Sequence, residues 1–204
     1  QGTDRQWTAG DLGGAAYLDG MQYAEIAHSP TINQLRTVTV EARIKADRLP
    51  VDAASPVALF YKGGGTLATR TYSLWLNSDG WLKLSTSDGT EQSVTTAAGL
   101  IAPHQWQQVA AVMDRTTGQG VLKIVVDGVE RASATVRTNN ATSNTNPLFI
   151  GHSLESNFNF EGAIDDVRVW SVARTAAQIA AAKDLELTGT EAGLVAYLKA
   201  NEGT

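Results

Sequence analysis

Cysteine is absent from the 204 residues, which excludes disulfides, thiol nucleophiles and thiolate metal sites. Stability must then come from a core or a bound ion, and of metal ions only hard cations on oxygen ligands stay open. No run of about 18 apolar residues occurs, so the chain carries no transmembrane helix. Positive charge is scarce: 16 Lys and Arg stand against 21 Asp and Glu, a net charge of −5, with no basic run able to neutralise a phosphate backbone. Nucleic acid and membrane are thereby set aside as partners. The chain starts at Gln1 without methionine and shows no signal-peptide pattern, which reads as a mature product or a piece excised from a longer protein. Its length suits one core, hence a single domain over 1–204.

Chemistry-bearing constellations are equally sparse. His28, His104 and His152 lie in separate loop-like settings without a Ser-containing elbow or a helical His pair, which argues against hydrolase triads and zinc sites. Glycoside hydrolysis needs two carboxylates flanking the bond. The nearest pairs, Glu41 with Asp47, Glu161 with Asp165 and Asp184 with Glu186, lack the required spacing on one strand and read as surface charges, or for Asp165 as a metal ligand. Lys62-Gly63-Gly64-Gly65 lacks the order of a phosphate loop. Asn140-Ala141-Thr142 is a glycosylation acceptor by pattern, best read as chance in an Asn/Thr-rich loop.

What the sequence does contain is strand periodicity. Residues 37–46 alternate, with Val38, Val40, Ala42, Ile44 and Ala46 on one face and Thr37, Thr39, Glu41, Arg43 and Lys45 on the other, as in a half-buried strand. Further strand-like runs occur at 56–63, 71–77, 81–87, 105–114, 121–128, 147–151 and 164–170, separated by turn signals such as Ser78-Asp79-Gly80 and Asp127-Gly128. One helix is predicted over 175–184, capped by Thr175 and Gln178 and placed on the sandwich edge. The tracts 64–71 and 137–146 read as rim loops. The fold class is all-β: a two-sheet antiparallel sandwich with one short C-terminal helix.

The segments AAYLDGMQYAEI, TVEARIK, YSLWLNSDGWLKL, HQWQQVAAVMD, LKIVVDG, PLFIG and FEGAIDDVRVW, in this order over residues 15–174, resemble the laminin-G-like (LamG type 3) jelly-roll family, related to pentraxins and concanavalin A-like lectins and glucanases. The resemblance implies a secreted or cell-surface, non-catalytic domain that binds a carbohydrate or cell-surface glycan; the alternative is a protein-binding adhesive or structural spacer module of a large surface protein. It also implies that Trp106 packs into the core, and that 193–200 either closes the sandwich beside the first strand or opens a following domain.

Two sites are expected. The three-residue turn Ser78-Asp79-Gly80 sets Leu76 opposite Leu82 and Leu74 opposite Leu84, with Gly80 left-handed. Trp75 then shares the outer face with Ser73, Asn77, Lys83 and Ser85, and Trp81, opposite Asn77, lies diagonally about 7–8 Å away. Trp75, Trp81, Asn77 and Lys83 form a sugar platform on this reading, unless a loop or the helix covers both indoles. The second site is a structural calcium. Alternation in 164–170 points Asp165 inward with Val167 and Val169, where an unpaired carboxylate is costly. The resemblance places a calcium between this segment and the first strand, with Asp165, Asp19 and carbonyls around Gly20 as ligands. The alternative is that Asp165 accepts loop amides or pairs with Arg43 or Arg168.

Overall fold

A computed structural model describes residues 7–116 and 118–201; the outermost residues of the expected 1–204 unit lie outside the described residues. The strands in chain order are β1 (Trp7–Ala9), β2 (Gly14–Asp19), β3 (Ala24–Ile26), β4 (Thr37–Ala46), β5 (Val57–Lys62), β6 (Tyr72–Leu76), β7 (Leu82–Ser87) and β8 (Glu91–Thr95). They continue as β9 (Gln107–Asp114), β10 (Gly120–Val126), β11 (Val129–Val136), β12 (Leu148–Ile150), β13 (Glu161–Trp170) and, after the helix α1 (Ala176–Ala182), β14 (Leu194–Leu198). All pairings are antiparallel, as expected. One sheet of eight strands runs β1-β2-β13-β4-β9-β10-β11, with β14 added on β13; the other, of six, runs β3-β12-β5-β6-β7-β8.

The core lies between the sheets. Alternate residues of β4 (Val40, Ala42, Ile44), β6 (Leu74, Leu76), β7 (Leu82, Leu84) and β10 (Leu122, Ile124) meet there, each Val, Leu or Ile side chain contributing roughly 1.5–3 kcal/mol on burial. β4 is not half-buried as its alternation suggests: Thr39 and Glu41 on its outer face are also covered. The chain after β13 folds back over them. Thr39 Oγ1 donates to the Val172 carbonyl (2.8 Å), and the Glu41 carboxylate accepts from Trp170 Nε1 (2.6 Å) and Gln108 Nε2 (2.9 Å). Glu41 is therefore an internal acceptor rather than a surface charge, its pKa raised by burial against the opposing pull of Arg168, the Trp170 hydrogen bond and Arg174.

The helix has the predicted capping box, Thr175 Oγ1 accepting from Gln178 N and the Gln178 side chain from Thr175 N. It does not sit on an edge. Ile179 is buried against Ala110, Val112 and Val125 on the outer face of the eight-stranded sheet, because that face would otherwise leave these apolar side chains in water. β14 pairs with residues 167–170 of β13, end to end with β2, which pairs with 161–164. Trp106 is a correction: it is half-buried outside the core, with Lys45 Nζ 5.3 Å above its ring.

Two loops are ordered by buried polar contacts. Lys62, fully buried, donates to the Asn144 carbonyl (3.2 Å), Asn144 Oδ1 (2.7 Å) and the Asn146 carbonyl (2.6 Å), fastening the 137–146 tract. Arg70, at the end of the 64–71 tract, reaches under the outer face of the six-stranded sheet.

Candidate functional site

The register of β6 and β7 is as expected: Leu74 faces Leu84, Leu76 faces Leu82 and Trp75 faces Lys83, with Asn77 N donating to the Trp81 carbonyl across the turn (3.1 Å). Gly80 has φ +70°, and a Cβ there would stand 2.3 Å from the Ile101 carbonyl oxygen, so both backbone and packing require glycine. The turn thus delivers Trp75, Asn77, Trp81 and Lys83 to one outer face. All four line a single cleft of about 480 Å³, together with Pro56, Arg70, Glu155 and Phe158.

Within the cleft the two indoles play different parts, and the paired platform does not form. Trp75 is only 6% exposed. Its Nε1 donates to Ser73 Oγ (2.6 Å), Tyr61 meets it edge-on at 5.9 Å, and the Arg70 guanidinium lies 5.3 Å over its ring. The cover is the segment after β12: Ser156 Oγ donates to the Pro56 carbonyl, and Glu155 accepts from Tyr61 Oη (2.8 Å) and from Arg70. Trp81 is half-buried and Phe158 is exposed, so the aromatic surface offered to a ligand is theirs.

The cleft's charges are matched. Both Glu155 oxygens take the Arg70 guanidinium, through Nε and NH2. Arg70 NH1 also reaches Glu91 (2.9 Å), and Lys83 Nζ pairs with the same carboxylate (2.8 Å). Burial tends to raise the Glu91 pKa, but hydrogen bonds from Lys83 and Ser85 and the Arg70 charge outweigh it and hold the carboxyl below its usual range. Asn77 is the exception in this network: 4% exposed, with Nδ2 buried and without a hydrogen-bond partner. Arg70, Glu155 and Phe158 were not visible as site residues in the sequence. They come from loops whose return to this face is a tertiary matter.

The three residues expected to hold calcium are not brought together. A β-bulge between Asp165 and Arg168, with Asp166 at φ +55°, resets the alternation of β13. Ile164 faces the core as Val167 and Val169 do, so Asp165 points outward, not inward with the valines. There its Oδ2 accepts from the amides of Asp11 and Leu12 (3.1 Å each) in the β1–β2 turn, beside Arg43, which pairs with Asp11. Burial raises its pKa, the Leu12 amide opposing, and Oδ1 has no partner. Asp19 is opposite Glu161, four residues along the strand and thus about 13 Å away. Its Oδ1 accepts from the amides of Met21 (2.9 Å) and Gln22 (3.2 Å), and the Gly20 carbonyl accepts from Asn159 Nδ2 (3.1 Å). A carboxylate oxygen met by two N–H donors and a neighbouring guanidinium does not fit a cation, and among the described residues no group of three His, Cys, Asp or Glu could hold a metal.

Comparison with solved structures finds the same sandwich fold in several domains. It is similar to a putative carbohydrate binding protein from Bacteroides ovatus (TM-score 0.65, 23% identity), covering 87% of this chain and 48% of that one, so it spans about half of that protein. It is similar to domain 4 of AbnA, a GH43 extracellular arabinanase from Geobacillus stearothermophilus solved with arabinotriose (TM-score 0.64, 21% identity, 86% and 79% covered). The CBM40 of the Ruminococcus gnavus IT-sialidase, solved with alpha2,3 sialyllactose, superposes with TM-score 0.66 at 15% identity, covering 82% and 94%. These likenesses show the shared fold. Comparison with curated protein sequences finds no match. The sequence profile of the laminin-G-like type 3 family, described as the concanavalin A-like lectin/glucanases superfamily, matches residues 18–180, and the chain belongs to that family.

Proposed function

We propose that this chain is a non-catalytic glycan-binding module whose ligand occupies the cleft around Asn77 and Trp81. The observation that carries this is a cleft lined by Trp81, Phe158 and Asn77, whose buried Nδ2 has no hydrogen-bond partner. A buried amide donor without an acceptor costs about 1–3 kcal/mol, which turning the Asn77 amide toward a ligand hydroxyl or ring oxygen would recover. The half-buried Trp81 and exposed Phe158 add apolar ring faces beside it, the combination a sugar needs. The related solved domains that carry bound oligosaccharides support the same reading.

Catalysis is not supported by Glu155 on the cleft lining or by Glu91 behind it in the same charge network. A glycosidase needs one carboxyl held protonated by a raised pKa. Glu91 is shifted the other way, and Glu155 is engaged by Arg70 through both oxygens. No helix of the described residues is long and apolar enough to cross a membrane. The ligand class, with the extracellular arabinanase among the similar structures, supports work on a secreted or surface protein.

The test is titration of neutral plant and host oligosaccharides into the protein while following tryptophan emission and heat. Binding should shift the emission, and Asn77→Ala and Trp81→Ala should each weaken affinity about tenfold or more while leaving the fold intact. Unchanged affinity in both variants would remove the ligand from this cleft.

A further inference from the structure

The cleft holds two cations, Arg70 and Lys83, and a sugar carrying a carboxylate or sulfate would have to reach them. Both are already paired with carboxylates. Arg70 is 5% exposed, and its planar fork, suited to a carboxylate through two parallel N–H bonds, is already turned to Glu155 through Nε and NH2. Its NH1 goes to Ser85 and Glu91, and Lys83 is taken by Glu91 at 2.8 Å. Of the two carboxylates, Glu155 lines the cleft together with Arg70, whereas Glu91 does not. Its other contact, from Tyr61 Oη to Oε1, fixes the side chain in that position.

An acidic sugar entering the cleft therefore meets a carboxylate beside the guanidinium it would pair with. To reach Arg70 it must displace a carboxylate held by three hydrogen bonds. A neutral sugar meets no such opposition, and the Asn77 amide, whose Nδ2 is unpaired, needs only to turn toward a hydroxyl or ether oxygen. From this geometry we propose that the cleft selects uncharged oligosaccharides, and that Glu155 is the specificity-determining residue because it occupies the Arg70 guanidinium in place of a ligand anion. This rests on the glycan-binding reading above.

Glu155→Gln keeps the size and, through its one carbonyl oxygen, the contacts of Oε1 to Tyr61 and Arg70 Nε, but it loses the acceptor of Arg70 NH2 and removes the charge, leaving the guanidinium without a full counter-ion. The experiment uses the full chain against matched pairs of oligosaccharides, each a neutral glycan and its uronate or sialylated counterpart. Kd is measured at low ionic strength, where repulsion is least screened. The wild type should bind the neutral member at least tenfold tighter, and Glu155→Gln should shrink that ratio tenfold or reverse it, with its melting temperature within a few degrees of the wild type. If Glu155→Gln does not fold, Glu155→Ala, which removes the carboxylate altogether, reads the same ratio. Equal or tighter wild-type binding of the acidic members, or a ratio unmoved in a folded variant, overturns the selectivity. Failure of the wild type to bind either class overturns glycan binding itself.

Discussion

Lys62 provides a pH effect whose sign follows from burial. The side chain is enclosed, and desolvation lowers its pKa from 10.5 to about 8. In the unfolded chain the ammonium keeps its proton up to about 10.5. Between the two values the unfolded state binds more protons than the folded one, so stability rises with pH across that window. The burial cost is present in full below pH 8 and is gone above about 10.5. At about 1.36 kcal/mol for each tenfold change, the gap amounts to at most about 3 kcal/mol. The Asn144 and Asn146 oxygens favour the charged form and reduce it, so about 2 kcal/mol is the working figure. Tyrosines and other groups titrating at high pH are removed by taking the difference against Lys62→Met. Urea unfolding of both proteins at pH 7.5, 8.5, 9.5 and 10.5 should show the wild type gaining about 2 kcal/mol relative to the variant, with no relative change below pH 8. Parallel profiles to within about 0.5 kcal/mol would refute the assignment of a charged, desolvated lysine under the 137–146 tract.

Trp75→Ala should cost about 3–5 kcal/mol of stability in urea unfolding, as for a fully buried aromatic, whereas half-buried Trp81→Ala should cost clearly less; equal losses would contradict their different burial. Melting temperature should be the same in millimolar calcium and in chelator, while Asp165→Asn should lose about 1–3 kcal/mol because two turn amides lose their ionised acceptor. A calcium-dependent rise that Asp165→Asn abolishes would show a cation there instead.

Where a feature depends on neighbours in sequence, it could be read directly. The span and inner face of β4 follow from strict alternation, and the pairing of β6 with β7 follows from a turn whose Gly80 admits one register. The same logic correctly put Trp75, Asn77, Trp81 and Lys83 on one face. It could not show that Trp75 is roofed over, because the roof depends on Glu155 meeting Arg70 from a distant loop. Alternation failed for Asp165 for a different reason: a bulge shifts the phase by one residue, and nothing in IDDVRVW marks it except an aspartate able to adopt a left-handed backbone. The short strands β1, β3 and β14 lack a distinctive period, being too brief or only partly buried.

The place of β13 in the eight-stranded sheet has a kinetic consequence. This central strand is encoded late in the chain, yet it separates β2 from β4, which are encoded early: Ala16 meets Ile164, and Ala46 meets Gly162. Until residue 170 has been synthesised, β2 and β4 each present an unsatisfied hydrogen-bonding edge, and no local hairpin can relieve it. Closure of so long a loop makes folding slow for the domain's size, in the range of about a millisecond to a second, and postpones it until β13 has been made. During that interval the alternating apolar face of β4 is the segment most open to pairing with another chain, with only Glu41, Arg43 and Lys45 to discourage it.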